Sequence, residues 1–336
     1  MIMKLSFVIP AYNEEQYIGK CLSSIFRELK GRSYDTEVIV VNNASTDNTR
    51  QAALAFPGVT VVDEMTKGIV HARHAGFSAS SGELVANIDA DTILTPGWLD
   101  TVMSEFSKNE KLVGLSGPFV YYDVSKSLQH FTAFFYRLGY VSYFMNKFVW
   151  RVGSMLQGGN FVVRRSALEQ AGGFDRNITF YGEDADIARR LHKVGDVKFT
   201  FALPMYASGR RIVKEGAFTM GFRYGTNYLW TTFFKKPFSK NYSDIRLADN
   251  GDAPLKYDPQ NRRHELRIAV SIILILLGTF GMLGFVIADQ VSAKETPRAF
   301  VLRMYHKFSD NDGDLQALRL KWESIRQNIT SRQGNN

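Results

Sequence analysis

The 336-residue chain contains a single cysteine, Cys21, so it cannot form an internal disulfide. Such low cysteine usage is typical of proteins from a reducing compartment. The first apolar run, within residues 1–15, is only about five residues long, which is too short for a secretory signal peptide. These two absences predict that the N-terminal part of the protein stays in the cytosol.

Acidic residues are also few relative to basic ones, and the formal net charge is +8. Much of the excess lies in residues 205–267, which hold 12 Lys and Arg against 6 Asp and Glu. A basic stretch can meet nucleic acid, a phosphate-rich substrate or an anionic membrane. Because this stretch adjoins the most hydrophobic segment of the chain, we expect membrane lipids, and no nucleic acid, as its partner.

Strand and helix patterns alternate through the first 120 residues. Short buried runs predict strands at 5–9, 37–41, 59–62, 84–88 and 112–116. Helical patterns between them cover 14–30, 47–56, 68–80 and a segment opened by Pro96. This alternation predicts an α/β fold with a doubly wound, mostly parallel sheet. Ligands of such sheets bind at the carboxyl ends of the strands, where the polar clusters of this sequence lie.

Residues 128–150 are rich in aromatic side chains, with nine among 23 residues, and they include no acidic residue. A buried helix is one interpretation of this stretch. The other is a helix lying in a membrane interface, with aromatic side chains such as Phe134 and Phe135 toward the membrane and Lys147 at its edge. Residues 218–238 repeat the pattern and end close to Lys235-Lys236.

Residues 268–288 form an uncharged run of 21 residues, which is long enough to span a bilayer. Arg262, Arg263 and Arg267 precede this run, and such a bias favours a cytoplasmic N-terminal side. The sequence therefore predicts C-terminal interfacial helices and one transmembrane helix. The protein would be a single-pass protein of the cell membrane, with its main domain on the cytoplasmic side.

Two carboxylate pairs carry the predicted chemistry. Asp89-Ala90-Asp91 follows the fourth predicted strand, and two carboxylates at this spacing can hold Mn²⁺ or Mg²⁺ together with substrate phosphates. Solvated turn residues are the plain alternative. Glu183-Asp184 opens a helix that continues through Leu191. These acids either complement the helix dipole or supply a general base for an acceptor hydroxyl.

In their order, the motifs resemble those of the family 2 glycosyltransferases, the large inverting family with the GT-A fold, which is Rossmann-like. The resemblance covers residues 4 to about 195. Its motifs are Pro10-Ala11-Tyr12-Asn13-Glu14, Val40-Val41-Asn42-Asn43-Ala44-Ser45-Thr46-Asp47, Lys67-Gly68 with Ala72-Arg73-His74-Ala75-Gly76, Asp89-Ala90-Asp91, Gly158-Gly159-Asn160-Phe161, and Gly172-Gly173-Phe174-Asp175 with Gly182-Glu183-Asp184.

The resemblance implies roles for particular residues. It places the nucleotide-sugar donor against Pro10, Ala11, Tyr12, Glu14, Asn43, Lys67, Arg73, Asp89, Ala90 and Asp91. It makes Asp91, with Asp89, the ligand of a divalent metal, and Asp184 the catalytic base beside Glu183. It puts Gly158, Gly159 and Asn160 on the acceptor side. We further expect the metal, helped by Arg210 and Arg211, to stabilise the leaving diphosphate.

The sequence departs from the family pattern in two places, and it also lacks one motif of the processive synthases. Asn42 and Asn43 replace aspartates, so an amide oxygen would have to meet the uracil N–H of the favoured UDP-sugar donor. His74 replaces the usual Asn. The Gln-x-x-Arg-Trp motif of processive synthases is missing, and Ala188-Arg189-Arg190-Leu191 stands near its place. One sugar is therefore expected per acceptor molecule.

The predicted function is inverting transfer of a hexosyl or N-acetylhexosaminyl group to a lipid-linked or membrane-proximal glycan acceptor, in cell-envelope polysaccharide assembly. One alternative is a nucleotidyltransferase, although that class tends to have a Gly-rich, basic loop where this chain has Ala11-Tyr12-Asn13-Glu14-Glu15. The other is a non-catalytic membrane scaffold, which the presence of both Asp91 and Asp184 disfavours.

These segments define the predicted domains of the chain. They are a catalytic domain at 1–215 with a nucleotide-sugar half (1–117) and an acceptor half (118–215), an aromatic and basic interfacial segment at 216–248, a linker at 249–267, a transmembrane helix at 268–288 and a polar tail at 289–336.

Overall fold

The computed structural model describes residues 3–178, 182–236 and 238, all within the first of two compact units of the chain, Met1–Glu265. The strands of this part are β1 (Leu5–Ala11), β2 (Thr36–Asn42), β3 (Val59–Asp63), β4 (Leu84–Ile88), β5 (Thr92–Leu94), β6 (Leu112–Ser116), β7 (Phe119–Tyr121), β8 (Asn160–Arg164), β9 (Asp196–Phe199) and β10 (Met205–Ala207). All five strands predicted from the sequence are confirmed, as β1, β2, β3, β4 and β6.

Seven strands form a central sheet in the order β3-β2-β1-β4-β8-β6-β9. Neighbouring strands pair in parallel except at β8, which runs antiparallel to both β4 and β6. The prediction of an α/β fold with a mostly parallel sheet is therefore confirmed. The reversal at β8 was not predicted, and it brings the start of β8 to the edge where the parallel strands end.

The helices of the described part are α1 (Ile18–Leu29), α2 (Thr49–Leu54), α3 (Ile69–Ala79), α4 (Trp98–Lys108), α5 (Lys126–Phe144), α6 (Arg165–Gln170), α7 (Glu183–Leu191), α8 (Arg210–Glu215) and α9 (Ala217–Phe234), with a π-helical segment at Met145–Val149. The predicted helices at 14–30, 47–56 and 68–80 are confirmed with somewhat shorter bounds. The helix opened by Pro96 is confirmed as α4, and the helix from Glu183 through Leu191 is confirmed with the predicted bounds.

Helices cover both faces of the sheet, so strands such as β1 are buried on both sides. On one face, Phe7 and Leu84 pack with Leu22 of α1 and Trp98 of α4. On the other, Val85 packs with residues of α3, α6 and α7. This burial leaves the two edges of the sheet as the places where loops can build a site.

A second, small sheet has the order β5-β10-β7. Its strand β10 precedes α8, and Ser208 N donates a hydrogen bond of 3.2 Å to the carbonyl oxygen of Asp91. The chain entering α8 is therefore fastened to the loop that carries the Asp89-Ala90-Asp91 triplet.

The aromatic helix α5 has two different faces. Tyr136 and Tyr140 pack on Phe199 of β9, with ring centroids 6.4 and 6.5 Å apart. Phe134 and Val141, by contrast, are 58% and 42% exposed. One face of α5 is therefore part of the core, as the buried-helix interpretation predicts, and the other face meets solvent. The membrane-interface interpretation stays a prediction.

Lys147 does not lie at an exposed edge. It is buried, its Nζ lies 2.7 Å from Asp196 Oδ1, and it donates to the hydroxyl of Tyr143 at 3.1 Å. The prediction that Lys147 faces a membrane is therefore wrong, because an acidic partner from β9 neutralises it inside the protein.

No helix of the described residues is both long and apolar enough to cross a membrane. The linker, transmembrane and tail predictions for 249–267, 268–288 and 289–336 fall outside the described residues. The same holds for 239–248 of the predicted interfacial segment.

Candidate active site

The candidate site lies at the edge of the sheet where β1, β2 and β4 end. The loops after these strands carry Glu14, Asn43 and the Asp89-Ala90-Asp91 triplet. Because β8 is antiparallel, Gly158 and Gly159 reach the same edge from its amino end. The structure thus brings together motifs that the sequence spreads over more than half of the chain.

Arg73 of α3 bridges the two carboxylate pairs. Its side chain is only 2% exposed, and Nη2 lies 3.2 Å from Asp89 Oδ1. Nη1 forms a close ion pair with Glu183 at the start of α7. The guanidinium lies over the ring of Phe161, 5.3 Å from its centroid. Arg73 is thus engaged within the protein, and its predicted direct contact with the donor finds no support.

Asp184 lies beside Gly158 at the start of α7. Its Oδ2 accepts from Gly158 N at 3.1 Å and its Oδ1 from Ala185 N at 2.8 Å. Asp184 keeps some solvent access. Even so, desolvation by the surrounding protein raises its pKa above the ordinary value, against the opposing effect of the hydrogen bonds from Ala185 and Gly158. A carboxylate with a raised pKa is a stronger proton acceptor, as a general base requires.

The Gly158-Gly159 pair lets the backbone pass between the two carboxylate pairs. A Cβ on Gly158 would lie 3.3 Å from Asp184 Oδ2. Gly159 has a φ of +80°, and a Cβ there would lie 2.1 Å from Asp89 Oδ2. Glycine is therefore required at 159 both by the backbone and by the closeness of Asp89. Gly159 borders the predicted donor carboxylate, although we expected it on the acceptor side.

Asn160 does not face the site. It is fully buried, its Oδ1 accepts from Trp98 Nε1 at 3.0 Å, and its Nδ2 donates to the carbonyl oxygens of Gly117 and Leu203, both at 3.0 Å. Its amide joins α4 to two loops, and the predicted contact of Asn160 with the acceptor finds no support.

Arg210 forms the second arginine cluster of the site. Its Nη2 lies 2.5 Å from Glu14 Oε1 and 3.1 Å from Asp91 Oδ2. Its guanidinium lies over the ring of Tyr17, 4.4 Å from the centroid. Arg210 thus stands next to the predicted metal carboxylate. Arg211 Nη1 lies 2.6 Å from Glu215 Oε1, its partner four residues along α8.

Glu14 is only 1% exposed and is bonded to Arg210, so its predicted contact with the donor finds no support. Pro10, Ala11 and Ala90 are buried as well, so their side chains line no open surface. Tyr12 is partly exposed, and Lys67 Nζ lies 3.9 Å from the centroid of its ring.

The amide of Asn43 is engaged by the backbone of the following loop. Nδ2 donates to the carbonyl oxygens of Glu64 and Thr66 at 3.1 and 2.8 Å, and Oδ1 accepts from Gly68 N at 2.8 Å. The predicted contact of this amide oxygen with uracil finds no support, because the oxygen already holds the start of α3.

Asp89 and Asp91 fit a shared divalent cation. Their side chains are 34% and 21% exposed, and each gives one oxygen to an arginine. Among the described residues, no group of three or more His, Cys, Asp and Glu could hold a metal by itself. Mg²⁺ usually takes only one or two carboxylates and completes its shell with phosphate and water. The pair would suit a cation that arrives with a diphosphate.

Supporting residues at this edge were missed by the sequence reasoning. Gln157 Oε1 accepts from the hydroxyl of Tyr136 at 2.9 Å, which connects α5 to the glycine pair. Ser116 Oγ accepts from Gln157 N at 2.8 Å and donates to the carbonyl oxygen of Asn160 at 2.7 Å. The one sequence signal for the role of Gln157 was its position directly before the Gly158-Gly159 pair.

Cys21 lies beneath the same edge. Its thiol is fully buried and contacts the carbonyl oxygen of Asp89 at 3.7 Å. Burial raises the pKa of this thiol, and the nearby Asp91 and Asp89 raise it further. A thiol of this kind is unreactive in the folded protein.

Comparison with known proteins agrees with this architecture. The family model for Glycosyl transferase family 2 matches residues 6–172. Glycosyltransferase AglE of Haloferax volcanii is 27% identical over 204 residues, which are 59% of this chain and 64% of that protein. Glucosyl-dolichyl phosphate glucuronosyltransferase of the same organism is 23% identical over 269 residues, 76% of this chain and 82% of that protein.

The chain spans between 34% and 64% of the length of the first curated relatives that it matches. Among solved structures, mannosyltransferase PcManGT from Pyrobaculum calidifontis, in complex with GDP-Man and Mn²⁺, has a TM-score of 0.53 at 19% identity. The match covers 95% of this chain and 83% of that one, and at this identity it bears on the fold. Residues 6–172 are therefore a glycosyl transferase family 2 domain, and the described residues have a GT-A-like fold.

Proposed function

We propose that the chain is a metal-dependent, inverting glycosyltransferase that moves a sugar from a nucleotide-sugar donor to a hydroxyl group of a lipid-linked acceptor. The observation that carries this proposal is the convergence of Asp89-Ala90-Asp91 and Glu183-Asp184 on either side of the Gly158-Gly159 pair. A donor carboxylate site and a candidate base next to it are what direct displacement at an anomeric carbon needs.

In the proposed reaction, Asp184 takes the proton of the acceptor hydroxyl while the acceptor oxygen attacks the anomeric carbon. The bond from that carbon to the diphosphate oxygen breaks, and the nucleoside diphosphate leaves. An α-linked donor gives a β-linked product. Asp91 and Asp89 would hold the divalent cation, whose charge stabilises the leaving diphosphate. The Mn²⁺ in the solved mannosyltransferase supports this assignment.

The donor is proposed to be a nucleotide sugar carrying a hexosyl or N-acetylhexosaminyl group, with UDP-sugars as the first candidates. The engagement of Asn43 by backbone groups leaves its amide without a role in base selection, so GDP-sugars belong in the same test. The GDP-Man bound to the solved mannosyltransferase supports their inclusion.

A membrane-bound acceptor is supported by the aromatic surface formed by α5, the π-helical segment and α9. Its exposed side chains include Phe134, Val149, Trp150, Phe233 and Phe234. Trp150 and Phe233 touch, with ring centroids 5.8 Å apart, so the end of the π-helical segment and α9 meet in this surface.

Its charge supports a membrane as well. No acidic residue occurs between positions 216 and 243, whereas Lys235 and Lys236 directly follow α9. Aromatic side chains flanked by cations suit an anionic bilayer surface. We propose that the protein acts at the cell membrane, with this domain on the cytoplasmic side and a role in cell-envelope glycan assembly. The lipid-linked substrate named for the glucuronosyltransferase relative points the same way.

The catalytic proposal is tested by incubating the full chain with a panel of UDP- and GDP-sugars, with Mn²⁺ or with EDTA. Activity should require the metal, and Asp91→Asn and Asp184→Asn should each remove most of it. Asp100→Asn is the matched control, because Asp100 pairs with Arg32 away from the site. Full activity in EDTA would exclude the metal mechanism. Full activity of the Asp184→Asn variant would exclude Asp184 as the base.

The acceptor proposal is tested by comparing a polyprenyl-linked glycan in bilayers with its water-soluble glycan. Replacing Phe134, Trp150 and Phe233 together by Ser should lower transfer to the lipid-linked acceptor and leave donor hydrolysis unchanged. Leu54→Ser, which removes an exposed apolar side chain from α2, serves as the control. Equal loss with both acceptors would show that the aromatic residues support the fold only.

A further inference from the structure

Three carboxylates beside the ends of β1 and β4 are each paired with a buried arginine. Asp89 pairs with Arg73, whereas Glu14 and Asp91 share Arg210. The carboxylate proposed to hold the metal therefore already has a cation of the protein at one of its oxygens. This arrangement raises the question of what happens to Arg210 when a divalent cation binds.

The two ion pairs of Arg210 differ in length and in the burial of the partner. Glu14 is almost fully buried, and its backbone N–H donates to Thr49 Oγ1 at 2.7 Å, so the shorter contact of Arg210 is to a fixed partner. The ring of Tyr17 covers the guanidinium. Asp91 is more exposed, and its contact with Arg210 is longer, at 3.1 Å. Of the two contacts, the one to Asp91 is the easier to exchange.

We propose that Arg210 is an exchangeable counter-ion of Asp91, which pairs with this carboxylate in the absence of metal and turns to the donor diphosphate when metal and donor bind together. Glu14 is the positioning residue that keeps Arg210 within reach of both. This inference rests on the proposed metal-dependent transfer. It adds that Arg210 lowers the affinity of the site for metal until a nucleotide is present.

The physical reason is electrostatic. A divalent cation that approaches Asp91 alone meets the positive charge of Arg210 and must compete for an oxygen that is already paired. A diphosphate brings negative charge that both cations can share, so it removes the repulsion and offers Arg210 a new partner. Metal and nucleotide should therefore bind with strong positive coupling, which is reciprocal between the two ligands.

The test is Mn²⁺ binding, measured by the electron paramagnetic resonance signal of free Mn²⁺, on the full chain alone, with UDP and with GDP. The wild type should bind Mn²⁺ weakly alone and much more tightly with one of the nucleotides. Arg210→Met should strengthen binding of Mn²⁺ alone by about ten-fold, because Asp91 loses its competing partner. The same variant should lose most of the coupling. Arg32→Met should bind Mn²⁺ as the wild type does, because Arg32 pairs with Asp100 away from the site.

Arg210→Met leaves Glu14 buried without its partner, which can unfold the protein. The double variant Glu14→Gln/Arg210→Met removes both charges and should also bind Mn²⁺ alone more tightly than the wild type. Unchanged or weaker Mn²⁺ binding by this folded double variant would overturn the exchange, even if the wild type binds Mn²⁺ with nucleotide. If the wild type bound no Mn²⁺ with either nucleotide, the proposed metal site would fail together with it.

Discussion

Gly159→Ala is the substitution for which the structure gives the most definite expectation. A residue other than glycine at a φ of +80° costs about 1–2 kcal/mol, because Cβ approaches its own backbone. The new Cβ would also lie 2.1 Å from Asp89 Oδ2 and 2.2 Å from Cγ, where ordinary contact begins at 3.4 Å. Because Arg73 Nη2 lies 3.2 Å from Asp89 Oδ1, a shift of this carboxylate also disturbs that ion pair.

Asp89 must therefore move by roughly 1 Å or more, a displacement that can lower a rate on the order of 10²-fold. We expect Gly159→Ala to lower kcat/KM by about this factor and to weaken nucleotide binding. The assays are steady-state transfer and nucleotide titration, together with thermal unfolding to follow the cost in stability.

The matched control is Gly172→Ala. Gly172 has a φ of +87°, and apart from its chain neighbours no atom of the described residues lies within 4 Å of the Cβ position, so it carries the backbone strain without the collision. This variant should lose about 1–2 kcal/mol of stability and keep its kcat/KM. If Gly159→Ala retained wild-type kcat/KM and lost no more stability than Gly172→Ala, the close approach of Gly159 to Asp89 would be irrelevant to function.

Three further outcomes follow from the contacts. Because burial raises the pKa of Asp184, kcat should fall as the pH drops through that raised value, and a rate profile that stays flat into the acid range would speak against Asp184 as the base. Burial alone would raise the pKa of Glu37, but hydrogen bonds from Ser6 and Ser81 and the charge of Lys4 lower it to about 2. Since the folded pKa is below the unfolded one, Glu37→Gln should cost about 1 kcal/mol of unfolding free energy at pH 7, and this difference should vanish as the pH falls from about 5 to 2 in denaturant titrations; a constant difference would contradict the linkage. Trp98→Phe leaves the buried Asn160 Oδ1 without its donor and should cost about 1–3 kcal/mol in the same titrations, whereas a change below about 0.5 kcal/mol would show that Asn160 finds another partner.

Of the five strands predicted from the sequence, β1, β2, β4 and β6 are largely buried, and burial on both faces leaves mostly apolar runs as a local signature. The edge strand β3 is only partly buried, and its three valines among five residues were the signal. Strand β8 was missed. Its five residues, Asn160–Arg164, give no comparable run, and its antiparallel direction is set by pairing with β4 and β6. Such pairing depends on contacts between distant parts of the chain, which local periodicity does not encode.

The same division holds for the candidate site. The motifs identified residues such as Arg73, Glu14 and Asn43, but their hydrogen-bond and ion-pair partners lie elsewhere in the chain. Arg73 meets Glu183, Glu14 meets Arg210, and these pairings bury residues that were expected to contact the donor. Lys147 shows the same for a charged residue. Its amphipathic surroundings in the sequence cannot show that it pairs with Asp196 of β9.

The position of Cys21 has a practical consequence for spectroscopy. Its thiol is the only one in the chain, and it lies buried beneath Asp89 with a raised pKa. Maleimide or methanethiosulfonate reagents should therefore leave the native protein unmodified, so spin labels or fluorophores can be placed at engineered surface cysteines without first removing Cys21. A slow reaction of Cys21 itself would then report how often the structure opens at the sheet edge that carries the candidate site.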